Sequence, residues 1–406
     1  MKLKALALFV AVASGVISTQ SSAVYNLYKK DGLSLDVNGE VNVHFKNDRE
    51  QFTYQYDQPG WTSITSDPRQ LVTGTYEERT DRRTRLGQDD GASWMDIRGS
   101  QKLPQDWRVT GTIGFGYADS GSGMYLNSAN LAFDKLNVGS ISLGRQYLHT
   151  GYVTRTGTFT TLDTFSGASI RTDYTAIPNL HLSAYYSTPS SSDVRRNSND
   201  EVEGWGASAS YRYPIADNHS VRFAAGYSDS RANPQLVNNN NVPQRNGNQV
   251  PVDSKGYAGS VEYRHGNFLA AVDAGRGEDD LSGNVIDSAK TDFVGVKLGY
   301  QFTPRFSMTA GYGQQETKRK NQQGVTVVSG SVGATGIRQN VAAAYEPFLF
   351  PKTEETRAYI RGDYYLRDNV RLYGRIDSVE LQHELDGKDF ANLENTAYRA
   401  GVSFTF

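Results

Sequence analysis

Apolar and polar residues alternate with a period of two over much of the chain. Leu33, Leu35, Val37, Val41, Val43 and Phe45 fall on one parity, with Ser34, Asp36, Asn38, Glu40, Asn42 and His44 on the other. Successive side chains of an extended strand point to opposite faces, so this stretch is a strand with one apolar and one polar face. The same reading applies to Trp107 to Tyr117, Val221 to Tyr227, Val294 to Phe302 and Phe306 to Tyr312. At the C-terminus, Tyr398, Ala400, Val402, Phe404 and Phe406 oppose Arg399, Gly401, Ser403 and Thr405. One such strand suits a soluble sandwich as well as a membrane barrel. Repetition along the chain favours the barrel, where lipid meets one face, water meets the other, and closure leaves no strand edge unpaired.

The connections separate the two alternatives further. Short turns at Pro104-Gln105-Asp106, Asn137-Val138, Ile177-Pro178-Asn179, Pro214 to Asn218, Gly266-Asn267, Thr303-Pro304-Arg305 and Arg367-Asp368-Asn369 alternate with long polar segments. The long ones are 48–91, 119–124, 148–168, 189–201, 230–254, 277–290, 317–355 and 383–395. Seven short and eight long connections, strictly alternating, predict an all-β, 16-stranded antiparallel transmembrane β-barrel with its short turns at the periplasmic end. A further hairpin within 325–350 would make 18 strands.

Composition agrees with a barrel and removes other classes. At 37% hydrophobic and a mean hydropathy of -0.56, the chain is too polar for a helical membrane protein, and beyond its start it has no apolar run long enough to cross as a helix. Residues 1–23 are expected to be a secretory signal peptide: Lys2 and Lys4, the apolar run Ala5 to Val12, then Ser21-Ser22-Ala23 as a small-residue cleavage site. That leaves 24–406 as a single barrel domain. Losing the two lysines takes Lys+Arg from 42 to 40 against 44 Asp+Glu, a net charge of -4, with no basic excess to suggest nucleic acid. There is no cysteine, hence no disulfide framework or thiolate chemistry. The six histidines are scattered, without a Ser or Asp partner motif and without metal-ligand spacing, so no enzyme, cofactor or metal is expected. Glu278-Asp279-Asp280 is an acidic loop tip, read as solvated.

Three sets of motifs stand in order along the chain: Val24-Tyr25-Asn26, Lys30-Asp31-Gly32 and Leu35-Asp36-Val37-Asn38-Gly39; then Leu131-Ala132-Phe133, Val138-Gly139-Ser140 and Gly144-Arg145-Gln146-Tyr147; then Gly362-Asp363-Tyr364-Tyr365-Leu366, Asp368-Asn369 and the terminal Phe406. They resemble, in turn, the mature N-terminus, the fourth and fifth strands and the end of the trimeric general porins of the Gram-negative outer membrane. The resemblance implies a homotrimer in outer-membrane lipid and lipopolysaccharide, a third loop (148–168) folded into the lumen, and passive diffusion of small hydrophilic solutes and ions.

It also implies where the pore narrows. Thr160 and Thr164 stand where the family has acids, leaving Asp163 as the loop's carboxylate, while Trp94 and Asn130 stand where it has arginines on strands two and four. The expected constriction is Arg98, Arg145, Arg155, Asp163 and Arg171, with Trp94, Asn130, Arg361 and Arg375 lining the pore. More basic than acidic groups near the loop predict a weak anion preference or little selectivity. Two alternatives remain open. One is a channel selective for sugars or phosphate-like anions, which for sugars would use Trp94, Tyr185, Tyr359, Tyr365 and Tyr373 as an aromatic track. A surface adhesin or phage receptor would use the long loops.

Overall fold

The computed structural model describes residues 25–55, 75–79, 83–87, 93–118, 123–188, 202–232, 252–280, 286–321, 351–385 and 388–406. The expected signal peptide at 1–23 and the segment 325–350 lie outside these residues. The first half holds β1 (Tyr25–Lys30), β2 (Leu33–Gln55), β3 (Thr75–Arg79), β4 (Arg83–Gly87), β5 (Trp94–Lys102), β6 (Trp107–Ala118), β7 (Gly123–Lys135), β8 (Gly139–Tyr147), β9 (Phe165–Tyr174) and β10 (Leu180–Ser187). The second holds β11 (Val202–Ala216), β12 (His219–Ala232), β13 (Val252–His265), β14 (Phe268–Asp280), β15 (Ile286–Thr303), β16 (Phe306–Asn321), β17 (Lys352–Arg367), β18 (Val370–Leu385) and β19 (Lys388–Thr405).

Antiparallel pairing runs from β2 to β5, then strand by strand to β19, which returns to β2. The result is a closed barrel of 16 strands. β3 and β4 continue the line of β5 along β2: Leu33 to Glu40 pairs with β5, His44 to Asp48 with β4, and Gln51 to Gln55 with β3. The 18-strand alternative does not hold for the ring, because β16 pairs directly with β17 from Phe306↔Tyr364 to Lys318↔Lys352 and leaves no gap for a hairpin. β1 has no counterpart in the sequence reading. It pairs with Leu33 to Val37 of β2, in the row that β19 vacates where Phe406 exchanges backbone hydrogen bonds of 2.9 and 3.0 Å with Gly39. Asp31 (φ 50°) and Gly32 (φ 80°) make the turn between β1 and β2, a two-residue hairpin connection that needs positive φ at both positions.

The two faces are sorted inversely to those of a water-soluble protein. Val261, Val272, Val296 and Tyr312 stand side by side across β13 to β16, and each is 43–50% exposed. Glu262, Asp273 and Asp363, on the other parity, are 4% exposed or less. Apolar groups outside and carboxylates inside are stable only where lipid surrounds the barrel. The strands also overshoot the hydrocarbon, which about 9–11 tilted residues span; β2 has 23 and β19 has 18. This corrects the reading of 383–395 as a loop: His383 to Leu385 pairs with Lys388 to Ala391, and Val379 to Gln382 with Asn392 to Asn395. In water beyond the membrane a hairpin keeps its hydrogen bonds without an apolar face, so the alternation stops before the strand does.

Candidate pore constriction

Between β8 and β9 the chain leaves the sheet. Leu148 donates its backbone N–H to the Thr164 carbonyl at 2.9 Å, closing the neck of a loop that opens with a 3-10 turn at His149–Tyr152. The loop's partners are inner-face residues of β10 to β17. Asp273 Oδ2 accepts the N–H groups of Arg155 and Thr156, both at 2.6 Å, and Ser260 donates to the Val153 carbonyl. Lys297 Nζ donates to the Arg155 carbonyl at 3.3 Å, Tyr359 to the Thr156 carbonyl at 2.7 Å, and Arg357 Nη1 to the Thr158 carbonyl at 3.1 Å. Val153, Phe159 and Leu162 cluster with Ala224, Ala258 and Phe293 of the wall. Each such apolar side chain is worth about 1.5–3 kcal/mol when buried, so the loop is seated by packing as well as by polar contacts. The wall beneath it is made of small residues; at Gly295 a Cβ would lie 2.6 Å from both Thr156 Oγ1 and Thr158 Oγ1.

The expected site residues divide by what they touch. Among the described residues Asp163 has hydroxyl partners in place of a cation: Tyr185 donates to its Oδ2 at 2.8 Å and Ser230 to its Oδ1 at 3.3 Å. Arg155 is buried on the wall side, while Gly157, Thr160 and Thr164 are the exposed points of the loop. Arg171, on the inner face of β9, donates to Asp173 (Nε, 2.9 Å) and to the Tyr147 carbonyl (Nη1, 2.6 Å). Arg98 is in register with Asp36 and Thr112, Thr112 with Asn130, and Trp94 with Glu40. Arg145 stands apart from these. Along β8, Ser142 and Gln146 point inward, so Arg145 shares the outer parity of Leu143 and Tyr147, its guanidinium 4.7 Å from the Phe165 ring centroid. Strand alternation in the sequence carried this signal, and the family motif pointed the other way.

A basic row that the sequence reading had not assembled runs from β17, the last strand the loop touches, round to β2. Arg361, Arg375, Arg399 and Lys46 are successive register partners on β17, β18, β19 and β2. Like charges in register repel, and carboxylates on the same face offset this: Arg361 with Asp363 at 2.9 Å, Arg375 and Arg399 with Asp377 at 2.6 and 3.0 Å, and Lys46 with Asp48 at 3.2 Å.

In the loop itself, burial and then the adjacent His181 depress the His149 imidazole to about 3; Asp173 opposes this, while Arg222 and Arg171 add to it. Its Nδ1 lies 3.0 Å from Ser208 Oγ and its ring centroid 3.8 Å from that of His181. Burial pushes the Asp163 carboxyl above the usual carboxylate range, against the hydrogen bonds from Tyr185 and Ser230. Burial also pushes the Tyr152 phenol up to about 12.

Residues 5–383 match the family model described as Gram-negative porin. No curated protein matches the sequence. Among solved structures, the chain is similar to in-vitro folded OmpT of Vibrio cholerae in its trimer form, with 15% identity, TM-score 0.57 and coverage of 91% of this chain and 100% of the other. It is similar to an anion-selective porin from Comamonas acidovorans, with 10% identity, TM-score 0.55 and coverage of 91% and 100%. It is also similar to Salmonella typhi OmpF solved with daunomycin, with 17% identity, TM-score 0.51 and coverage of 94% and 100%.

Proposed function

Given that the chain belongs to the Gram-negative porin family, we propose that the rim of the loop after β8 and the basic row on β17, β18, β19 and β2 together set the narrowest part of its pore. The protein is a bacterial outer-membrane diffusion channel and not an enzyme. Small hydrophilic solutes and ions pass through its lumen by size and wall charge, in a homotrimer embedded in lipid and lipopolysaccharide, after removal of residues 1–23.

The observation that carries this reading is the mismatch between the two sides. The loop exposes Gly157, Thr160 and Thr164, which have no charge, whereas the wall carries the half-buried arginines Arg361, Arg375 and Arg399, held by the two acids Asp363 and Asp377. The transverse field therefore has one strong side. Arg171, Arg98, Arg361 and Arg375 act on passing ions, Trp94 and Asn130 line the wall, Asp163 latches the loop to Tyr185 and Ser230, and Arg155 acts from behind it. Arg145 belongs to the outer surface. An aromatic sugar track receives little support, since Tyr185 is 5% exposed and the hydroxyls of Tyr185, Tyr359 and Tyr373 are all committed to hydrogen bonds.

The test is a planar-bilayer measurement of conductance and reversal potential under a potassium chloride gradient. Ohmic steps with a modest anion preference are expected, and a clear cation preference would overturn the assignment of the two sides. Arg375→Gln should move the reversal potential toward zero selectivity, while Arg145→Gln should leave it where it was.

A further inference from the structure

Beneath the loop, on the half of the wall nearest the short turns, cationic side chains outnumber their partners. Arg212 of β11, Arg222 of β12, Arg264 of β13 and Lys297 of β15 lie on neighbouring strands, and Arg155 joins them from the loop. Among the described residues two carboxylates accompany these five: Glu262, 2.7 Å from Arg264, and Asp273, whose Oδ2 is occupied by the two loop amides. The excess is three positive charges. Arg212 and Arg222 are direct register partners across β11 and β12, a like-charge pair that disfavours the fold unless something lies between.

The donors themselves are the second observation. Arg155 and Arg222 are each 7% exposed, yet among the described residues Nε and Nη1 of Arg155 and Nη1 of Arg222 have no hydrogen-bond partner. Asp273 Oδ1 is likewise unpaired, but one oxygen with two lone pairs leaves at least one of the three donors over. Buried charged donors without acceptors are costly. The basic row on the far wall differs in this respect, since its cations have carboxylates within reach. Arg212 is the exposed member and opens the group to the lumen.

We propose that Arg155, Arg212, Arg222, Arg264 and Lys297 form a binding site for a small, multiply charged oxyanion of the phosphate or phosphate-ester class, entered past Arg212 from the short-turn end. A guanidinium fork donates paired N–H groups to an oxyanion, and an ion with several oxygens serves several orphaned donors at once, which chloride does not. A charge of about -2 on such a ligand also offsets most of the excess. The inference rests on the interior being a water-filled passage, through which the ligand must reach Arg212.

Titration calorimetry of the full-length protein in detergent at low ionic strength, with inorganic phosphate and then pyrophosphate as probes, tests it. A saturable heat is expected, about tenfold weaker in affinity for Arg212→Gln, as for loss of one charge-assisted hydrogen bond. Arg276→Gln, an exposed residue paired with Asp292, should leave it unchanged. No saturable heat from the native protein, or equal affinity in Arg212→Gln, overturns the site. Potassium chloride conductance of the same preparation separates the two readings: conductance without phosphate binding removes the site alone, and binding without conductance leaves the site while removing the channel reading.

Discussion

Asp273 is fully buried and holds two consecutive loop amides on one carboxylate oxygen. Charge-assisted hydrogen bonds of this kind contribute about 1.5–3 kcal/mol each, so Asp273→Ala should cost roughly 3 kcal/mol or more and release the middle of the loop. The expected readout is a larger and noisier single-channel current, with the barrel still folded. An unchanged current would mean that packing of Val153, Phe159 and Leu162 holds the loop by itself. His149 gives the loop a pH dependence whose sign follows from its depressed imidazole. In a released loop the imidazole titrates near its ordinary 6.5; in the seated loop it does so at about 3. Between these values only the released form binds the proton, so seating is fully stable above about pH 6.5 and weakens as the pH falls, by up to about 1.4 kcal/mol per unit. Asp163 works in the opposite sense, because its raised carboxyl holds a proton better when the loop is seated, but only in the carboxylate range. Protease sensitivity of the loop between pH 7 and 5 should therefore rise in the native protein and stay flat in His149→Asn.

At the scale of the strand, parity decides what a substitution meets. Val296 and Lys297 are neighbours in sequence; one is 43% exposed on the outer face and the other is 8% exposed beneath the loop. Arginine at the bilayer midplane of a barrel costs about 2–4 kcal/mol. Val296→Arg should lower folding stability in lipid vesicles by that amount, measured by urea titration, while Lys297→Arg should change it by less than about half as much. Equal losses would mean that the two faces have been assigned wrongly. Much of the strand order was legible because a period-2 pattern is local. β1 was missed although its Asp31-Gly32 turn is a strong hairpin signal, since Tyr25 to Lys30 is too short to display a pattern. Strand ends beyond the lipid were missed because water selects no apolar face there, so His383 to Leu385 and Lys388 to Asn395 looked like loop.

For the whole molecule, the barrel's outer surface must meet either lipid or a second copy of the chain. OmpT of Vibrio cholerae, similar in fold, has been solved in a trimer form. The expected outcome for this chain is a band near three times the mass of one mature chain on unheated gels that collapses on boiling; a monomer alone without heating would count against the trimer. The sequence by itself determined that a sheet with one apolar and one polar face must close, and that its turns alternate in length, because both are written in adjacent residues. It placed Arg171, Arg361 and Arg375 on inner parity for the same reason. Tertiary structure alone decided the site's chemistry. Asp163 became a latch because Tyr185 and Ser230 lie within reach of its carboxylate, and Arg155 became a buried cation because the loop turns it toward the wall. The basic row and the cluster under the loop arose because hydrogen-bond register aligned Arg361 with Arg375 and Arg212 with Arg222. Register and loop path are set by contacts between residues that can lie more than two hundred positions apart, as between Thr156 and Tyr359, and no local pattern in a chain encodes them.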